Sequence, residues 1–190
     1  IDLNGGTHAQ TGEGVRIPGS AAVAVVDPDG VIRIESDEDA ILNGTIVAGG
    51  EIVETRDPDG VTLGSDVVLG DGDSQIIVVA GNQIRVGRSL TAGLLIDLQG
   101  GEDPVNGTSS NSSLEGVGLA ILGSAELLTT RENSSIIIRG TGDINLDVPL
   151  YAKELRTVGF PQYASGKITQ TVTLAVEIDL GTRVVTGDIV

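Results

Sequence analysis

An aliphatic pattern recurs three times along this chain and constrains its fold more than any other feature. Each copy holds three pairs of alternate aliphatic residues, separated by turns rich in glycine and aspartate. The first copy begins at Ile32, the second at Ile76 and the third, after a longer interval, at Ile136. A repeat of this kind predicts a solenoid, in which stacked units bury a continuous core. The copies are Ile32, Ile34, Ala40, Leu42, Ile46 and Ala48; Ile76, Val78, Ile84, Val86, Leu90 and Ala92; and Ile136, Ile138, Ile144, Leu146, Leu150 and Ala152.

The residues inside each copy favour strands over helices. Ile32 and Ile34 flank Arg33, which is the alternation of a strand with one buried face. No segment has apolar residues at the 3.6-residue period of a helix. The chain has only three aromatic residues, so its core must be aliphatic. These features predict an all-β fold.

A second set of short aliphatic segments lies between the copies of the pattern. Together the two sets give about six strands in roughly 44 residues, which is too short for most sandwich strands and their loops. We therefore predict a parallel β-helix with three sides, about 22 residues per coil and uncapped ends. The second set comprises residues 1–3, 15–17 and 22–26; 52–54, 61–63 and 66–69; and 96–98, 117–121 and 125–128.

The predicted organisation is one solenoid over residues 1–190, with differences in length concentrated at one corner. Its repeats span residues 1–51, 52–95 and 96–152, with an irregular insertion at 151–167 and further strands at 168–190. Arg156 falls where the pattern predicts an inward isoleucine, so we expect an outward loop or a distorted coil there. The insertions follow Ile-Asp-Leu or a related triplet, which makes that corner the best candidate for a functional face. They are residues 4–14, 55–60 and 99–116.

Composition excludes several classes of function. The formal net charge is −16, whereas nucleic acids and anionic membranes bind basic surfaces. With no cysteine the chain has no disulfide or thiolate metal site, and its apolar runs are too short to span a bilayer. The single histidine, His8, supports neither a zinc site nor a catalytic triad. We therefore expect no nucleic acid partner, no membrane insertion and no enzyme activity.

Clustered aspartates suggest calcium as the one candidate cofactor. Two Asp-Pro-Asp-Gly segments and Gly70-Asp71-Gly72-Asp73 bring oxygen ligands close together, and calcium takes six to eight of them. Plain acidic turns are the interpretation that we favour, because these segments have the residues of type I turns. The candidate ligands are Asp27, Asp29, Asp57, Asp59, Asp71 and Asp73.

Four Asn-x-Ser/Thr triplets are candidate glycosylation sites. They would be surface acceptors in an exported protein. Asn-Gly and Asn-Ser are also common in turns, and we favour that simpler interpretation. The four asparagines are Asn43, Asn106, Asn111 and Asn133.

The chain contains two similar periods, from Ser74 to Val86 and from Ser134 to Leu146, and short Ala-Gly-Gly and Ala-Gly segments at 48–50 and 92–93. These segments resemble repeats of large secreted adhesins of the filamentous-haemagglutinin type and of other giant acidic surface proteins. The resemblance covers about residues 1–150. It implies a right-handed β-helix shaft on the cell surface or in the extracellular matrix. Because uncapped ends would expose unpaired backbone groups, we expect the shaft to stack end to end or to continue in a longer chain.

Two other classes of protein stay open. A β-helix that binds or cleaves carbohydrate, like tailspikes and pectate lyases, would use aromatic residues on one face for a glycan or cell-surface ligand. The candidates are Tyr151, Phe160 and Tyr163. A tandem β-sandwich adhesin domain is the third class, but the chain lacks its core tryptophan.

Overall fold

The computed structural model describes residues 1–6, 12–56, 62–70, 72–101, 117–122, 125–131, 134–140, 143–146, 150–151, 154–159 and 168–170. All regular structure within these residues is β. The strands are β1 (Asp2–Gly5), β2 (Glu13–Ile17), β3 (Ala22–Val25), β4 (Val31–Ser36), β5 (Asp39–Leu42), β6 (Thr45–Ala48), β7 (Gly50–Arg56), β8 (Thr62–Leu69), β9 (Gln75–Ala80), β10 (Ile84–Val86), β11 (Leu90–Ala92), β12 (Leu95–Gly100), β13 (Val117–Ile121), β14 (Leu127–Thr129), β15 (Ser135–Gly140), β16 (Asp143–Leu146), β17 (Leu150–Tyr151), β18 (Glu154–Gly159) and β19 (Ile168–Gln170).

Three parallel sheets contain all of these strands except β7 and β8. Sheet A has the order β1-β4-β9-β12-β15-β18, sheet B has β2-β5-β10-β13-β16-β19, and sheet C has β3-β6-β11-β14-β17. Successive strands along the chain thus enter sheets A, B and C in turn, apart from β7 and β8 between β6 and β9. This all-β architecture of stacked parallel strands confirms the predicted class and is compatible with a β-helix.

The aliphatic copies of the sequence become neighbours in these sheets. Ile32 in β4 lies opposite Ile76 in β9, and Ile46 in β6 lies opposite Leu90 in β11. The third copy lies one strand further away, because Ile96 in β12 separates Ile76 from Ile136. The sequence repeat therefore reports the register of the strands.

The core lies between the sheets and is aliphatic, as predicted. Ile32 and Ile34 have no exposed surface, whereas the side chain of Arg33 between them is 48% exposed. A fully buried isoleucine contributes roughly 1.5–3 kcal/mol relative to an exposed one. Rows of such residues across adjacent strands hold the stack together.

The opposite faces of sheets B and C are also buried in places. Ile41 lies between core residues Ala40 and Leu42 and therefore faces away from the core, but it is only 5% exposed. Val47 and Ala120 occupy equivalent positions and are 0% and 1% exposed. The outer face of β4 in sheet A, in contrast, is exposed along its whole length.

The predicted coil over residues 52–69 is wrong. The structure has an antiparallel hairpin there, in which β7 pairs with β8 and Ile52 lies opposite Val67. The segment around Asp57-Pro58-Asp59-Gly60 joins two valine-containing runs, which is a hairpin signal that the solenoid interpretation missed. The interval between the first two copies of the pattern is therefore one passage through the three sheets plus a hairpin, rather than the two short coils that were predicted. Where no insertion intervenes, one short passage through the three sheets leads from Gln75 in β9 to Leu95, which lies opposite it in β12.

The hairpin also corrects the prediction of a single insertion corner. Residues 4–14 and 99–116 both connect sheet A to sheet B, between β1 and β2 and between β12 and β13. Residues 55–60 belong instead to the segment between sheets C and A, and 57–60 of it lie outside the described residues.

The predicted irregularity at 151–167 is wrong for the part that the structure describes. Strand β18 continues sheet A, with Leu155 opposite Ile136 and Arg156 opposite Ile137. The chain segment from Ile136 to its partner is shorter than the segment from Ile76 to Ile96, so Leu155, and not Arg156, lies opposite Ile136. Residues 152–153 and 160–167 lie outside the described residues.

Candidate interaction surface

The exposed large hydrophobic side chains of the described residues gather at one junction. We name this group the valine corner: Ile1, Val26, Val31, Val53, Val67 and Val68. Ile1 and Val31 begin sheet A, Val26 follows sheet C, and the other three belong to the hairpin between those sheets. Their exposed fractions range from 38% at Val67 to 64% at Val26. On the hairpin Val53 and Val68 share one face and Val67 lies on the other. Exposed apolar side chains are typical of interaction sites where they form a contiguous patch.

A tight backbone contact holds the base of the hairpin. Gly49 has a φ of +77°, which favours glycine, and its carbonyl accepts a 2.7 Å hydrogen bond from the amide of Gly70. Buried Ser74 also stabilises the base of the hairpin, because its hydroxyl donates to Ala48 O at 2.8 Å and accepts from Gly93 N at 2.7 Å. Both ends of the hairpin are therefore fixed to the sheets.

The first Asp-Pro-Asp-Gly segment forms the predicted turn and adjoins this base. The amide of Gly30 donates to Asp27 O at 2.8 Å, and the amide of Asp29 donates to Asp27 Oδ1 at 3.0 Å. Pro28 of the turn lies so close to Gly72 that a Cβ at position 72 would overlap it. The turn thus packs against Gly72, which follows the second strand of the hairpin.

Of the six candidate calcium ligands, the structure describes Asp27, Asp29 and Asp73. It brings two of them together, because Asp73 N donates to Asp29 Oδ1 at 2.9 Å, and Arg131 Nε lies 3.6 Å from Asp73 Oδ1. Within the described residues no group of three or more acidic, histidine or cysteine side chains could hold a metal ion. Asp57, Asp59 and Asp71 lie outside those residues, and calcium binding stays a prediction.

The strands β1, β2 and β3 form an edge of each of the three sheets. Their inward residues Leu3, Val15 and Val23 are only partly buried, whereas Ile34, Ala40 and Ile46 on the adjoining strands have no exposed surface. Unpaired strand edges with apolar side chains can accept further strands.

Ion pairs lie on the accessible side of sheet A and at the edge of sheet B. Arg139 Nη1 contacts both carboxylate oxygens of Asp97, at 2.6 and 2.7 Å. Arg16 hydrogen-bonds Glu13, and this bond raises the pKa of Arg16 above its ordinary value. Arg139 and Asp97 lie on neighbouring strands, so their pair matches charge across sheet A and favours one register, whereas Arg16 and Glu13 both lie in β2.

Asp39 has a buried role that the sequence analysis did not predict. Asp39 is 2% exposed, and its Oδ1 accepts a 3.3 Å hydrogen bond from Gln83 N. Gln83 Nε2 in turn donates to Val117 O at 3.1 Å on the next strand. These groups satisfy the backbone at the junction of sheets A and B, and no local sequence signal distinguishes them from surface residues.

The remaining site predictions fall mostly outside the described residues. Among the candidate glycosylation sites only Asn43 is described. It is half-buried, and its backbone N–H donates to Ile17 O at 2.9 Å. Tyr151 lies in β17 opposite Leu128. The predictions that lie outside are those for His8, Asn106, Asn111, Asn133, Phe160 and Tyr163.

None of the residues that the structure describes forms a helix long and apolar enough to span a bilayer. No protein-family model, no curated protein and no solved structure matches this chain.

Proposed function

We propose that this chain is a structural segment of an extracellular or cell-surface β-solenoid, whose function is to provide a rigid shaft. The observation that carries the proposal is the cyclic order of the strands, which pass through three parallel sheets in turn. Parallel neighbours require a connection that returns the chain to the same edge. A three-sided β-helix, right-handed as such crossovers are, meets this requirement with one coil per three strands.

The aliphatic rows support a mechanical role. Leu3, Ile34, Val78, Leu98 and Ile138 follow one another across five strands of sheet A, and four of them have no exposed surface. Each coil then contacts mainly its neighbours, so stability grows with the number of coils and the shaft can be long. The surface location follows from the resemblance to secreted adhesins.

The proposed shaft also stacks end to end or continues in a longer chain. The partly exposed inward side chains of β1, β2 and β3 support this, because a further coil placed there would complete their burial. The backbone edges of the same strands would pair with that coil.

Single-molecule extension of the whole chain, held by its termini, tests the shaft. A stacked solenoid releases coils stepwise, and a coil of about 20 residues adds roughly 70 Å of extended chain. We expect increments near that length or its small multiples. Release of the whole chain in a single event would contradict the proposal, because one cooperative globular core unfolds all or none.

A further inference from the structure

We infer that residues 50–73, which carry the β7–β8 hairpin, are a module inserted into a coil that is complete without it. The shaft displays this hairpin and does not need it to hold the coils together. The inference rests on the proposed function, because it assigns to one element of the shaft a role other than support.

The uninterrupted passage through the sheets shows how long the connection from sheet C to sheet A must be. Strands β11 and β12 are joined only by Gly93 and Leu94. Strands β6 and β9 are their neighbours in the same two sheets. If residues 50–73 are set aside, β6 and β9 are joined by Gly49 and Ser74 alone. The two connections then have the same length, so the register of β9 does not require the hairpin.

The two residues that flank the insertion are already close together. A Cβ placed on Gly49 would lie 2.6 Å from the Cβ of Ser74, so their Cα atoms are at most about 6 Å apart, compared with about 3.8 Å across a peptide bond. The hydroxyl of Ser74 also donates to Ala48 O at 2.8 Å, which ties the two sides of the insertion together. Joining Gly49 to Ser74 therefore needs only a small movement of the backbone.

Both flanking residues keep hydrogen bonds to the strands before and after them. Gly49 N donates to Val25 O at 2.8 Å, and Ser74 O accepts a bond of 2.9 Å from Leu94 N. These bonds continue the pairing of β6 with β3 and of β9 with β12. The parallel ladders thus pass the insertion without using the backbone of the hairpin.

The hairpin does not seal the core. None of its described residues belongs to the buried aliphatic cluster. Val53 and Val68 on one face are 39% and 53% exposed, and Val67 on the other face is 38% exposed. An element that closed the shaft would bury one face, whereas this hairpin exposes both.

The described contacts between residues 50–73 and the sheets are peripheral. Strand β7 lies against β3, and Gly70 N donates to Gly49 O. Beyond the hairpin, Asp73 contacts Asp29 and Arg131. The side chains of Asp73 and Arg131 are 62% and 36% exposed, and ion pairs at such positions contribute little to stability. The coils should therefore tolerate the loss of these contacts.

Deletion of residues 50–73 from the whole chain, with Gly49 joined to Ser74, tests the inference. We expect the far-UV circular dichroism of a β protein and cooperative urea unfolding, with a midpoint within about 1 M of the wild type. Deletion of residues 50–74 is the matched control. It shortens the connection by one further residue, so β9 must slip by one position and turn its buried face outward. This second variant should lose cooperative unfolding.

A pair of cysteines measures the register of β9 directly. Arg33 and Ile77 lie opposite each other on the strands that precede and follow the hairpin. Arg33→Cys combined with Ile77→Cys should form a disulfide in the otherwise cysteine-free chain, detected by mass spectrometry. The disulfide should form in the full chain and in the 50–73 deletion, and it should be absent from the 50–74 deletion.

Hydrogen exchange of the intact chain provides an independent measurement. Amides of β7 and β8 should be protected at least tenfold less than those of β9, because a module can open while the coils stay folded. Equal protection of the hairpin and β9 overturns the inference, and so does a 50–73 deletion that fails to fold or to form the disulfide. The extension increments are measured on the wild-type chain, so failure of the shaft is recognised separately.

Discussion

Ile76 and Ile77 offer a direct test of the register, because they are adjacent, chemically identical and on opposite faces of β9. Ile76 has no exposed surface and lies between Ile32 and Ile96, whereas Ile77 is partly exposed and lies between Arg33 and Asp97. Substitution by alanine removes three methyl or methylene groups, worth about 2.4 kcal/mol of transfer free energy when fully buried. A residual cavity adds to that cost. We expect Ile76→Ala to lower the free energy of unfolding by about 3–4 kcal/mol, and Ile77→Ala by about 1 kcal/mol.

Urea denaturation followed by circular dichroism measures both changes with the same extrapolation. The comparison is valid if the two variants keep the m value of the wild type, because m reports the surface exposed on unfolding. Equal losses, or a larger loss at Ile77, would refute the assignment of faces. A one-residue slip of β9 would produce that reversal, since every side chain changes face.

Three further outcomes follow from named contacts. Gly49→Ala should destabilise the fold by about 1–3 kcal/mol in thermal or urea unfolding, because Gly49 has a φ of +77° and a new Cβ would overlap a neighbouring serine. Gly19→Ala is the control. Its Cβ would meet only a carbonyl oxygen at 3.5 Å, so stability should change by less than about 1 kcal/mol. Arg139→Ala should cost about 1 kcal/mol in low salt and less in high salt, since its pair with Asp97 is partly exposed; a loss independent of salt would show that packing dominates. Ile77→Cys combined with Asp97→Cys should form a disulfide in the otherwise cysteine-free chain, detected by mass spectrometry, whereas moving either cysteine to the adjacent position should prevent it.

Much of the core could be predicted because its signal is local. The alternation of Ile32, Arg33 and Ile34 states which side chains are inward, since successive residues of a strand point to opposite faces. The turn at residues 27–30 was predictable for the same reason, because proline and glycine restrict the backbone at those positions. Features of this kind need no knowledge of distant strands.

The hairpin was not predictable by the same reasoning. Ile52 and Val53 resemble the start of another coil strand, and the spacing of the first two copies of the pattern fits two coils as well as one coil with an insertion. Pairing of β7 with β8, instead of with strands of the sheets, is a competition between tertiary contacts. The valine corner depends on that outcome, so the sequence did not indicate it.

The amino-acid sequence by itself determined that the chain is all-β, which residues alternate along each strand, and that its core is aliphatic. Only the tertiary structure decided which strands are neighbours, that Leu155 and not Arg156 pairs with Ile136, and that Asp39 and Gln83 are buried. The physical reason is the range of each effect. Alternation follows from the two-residue period of a single strand, whereas register depends on the length of every connection between strands, which insertions change without altering the local pattern.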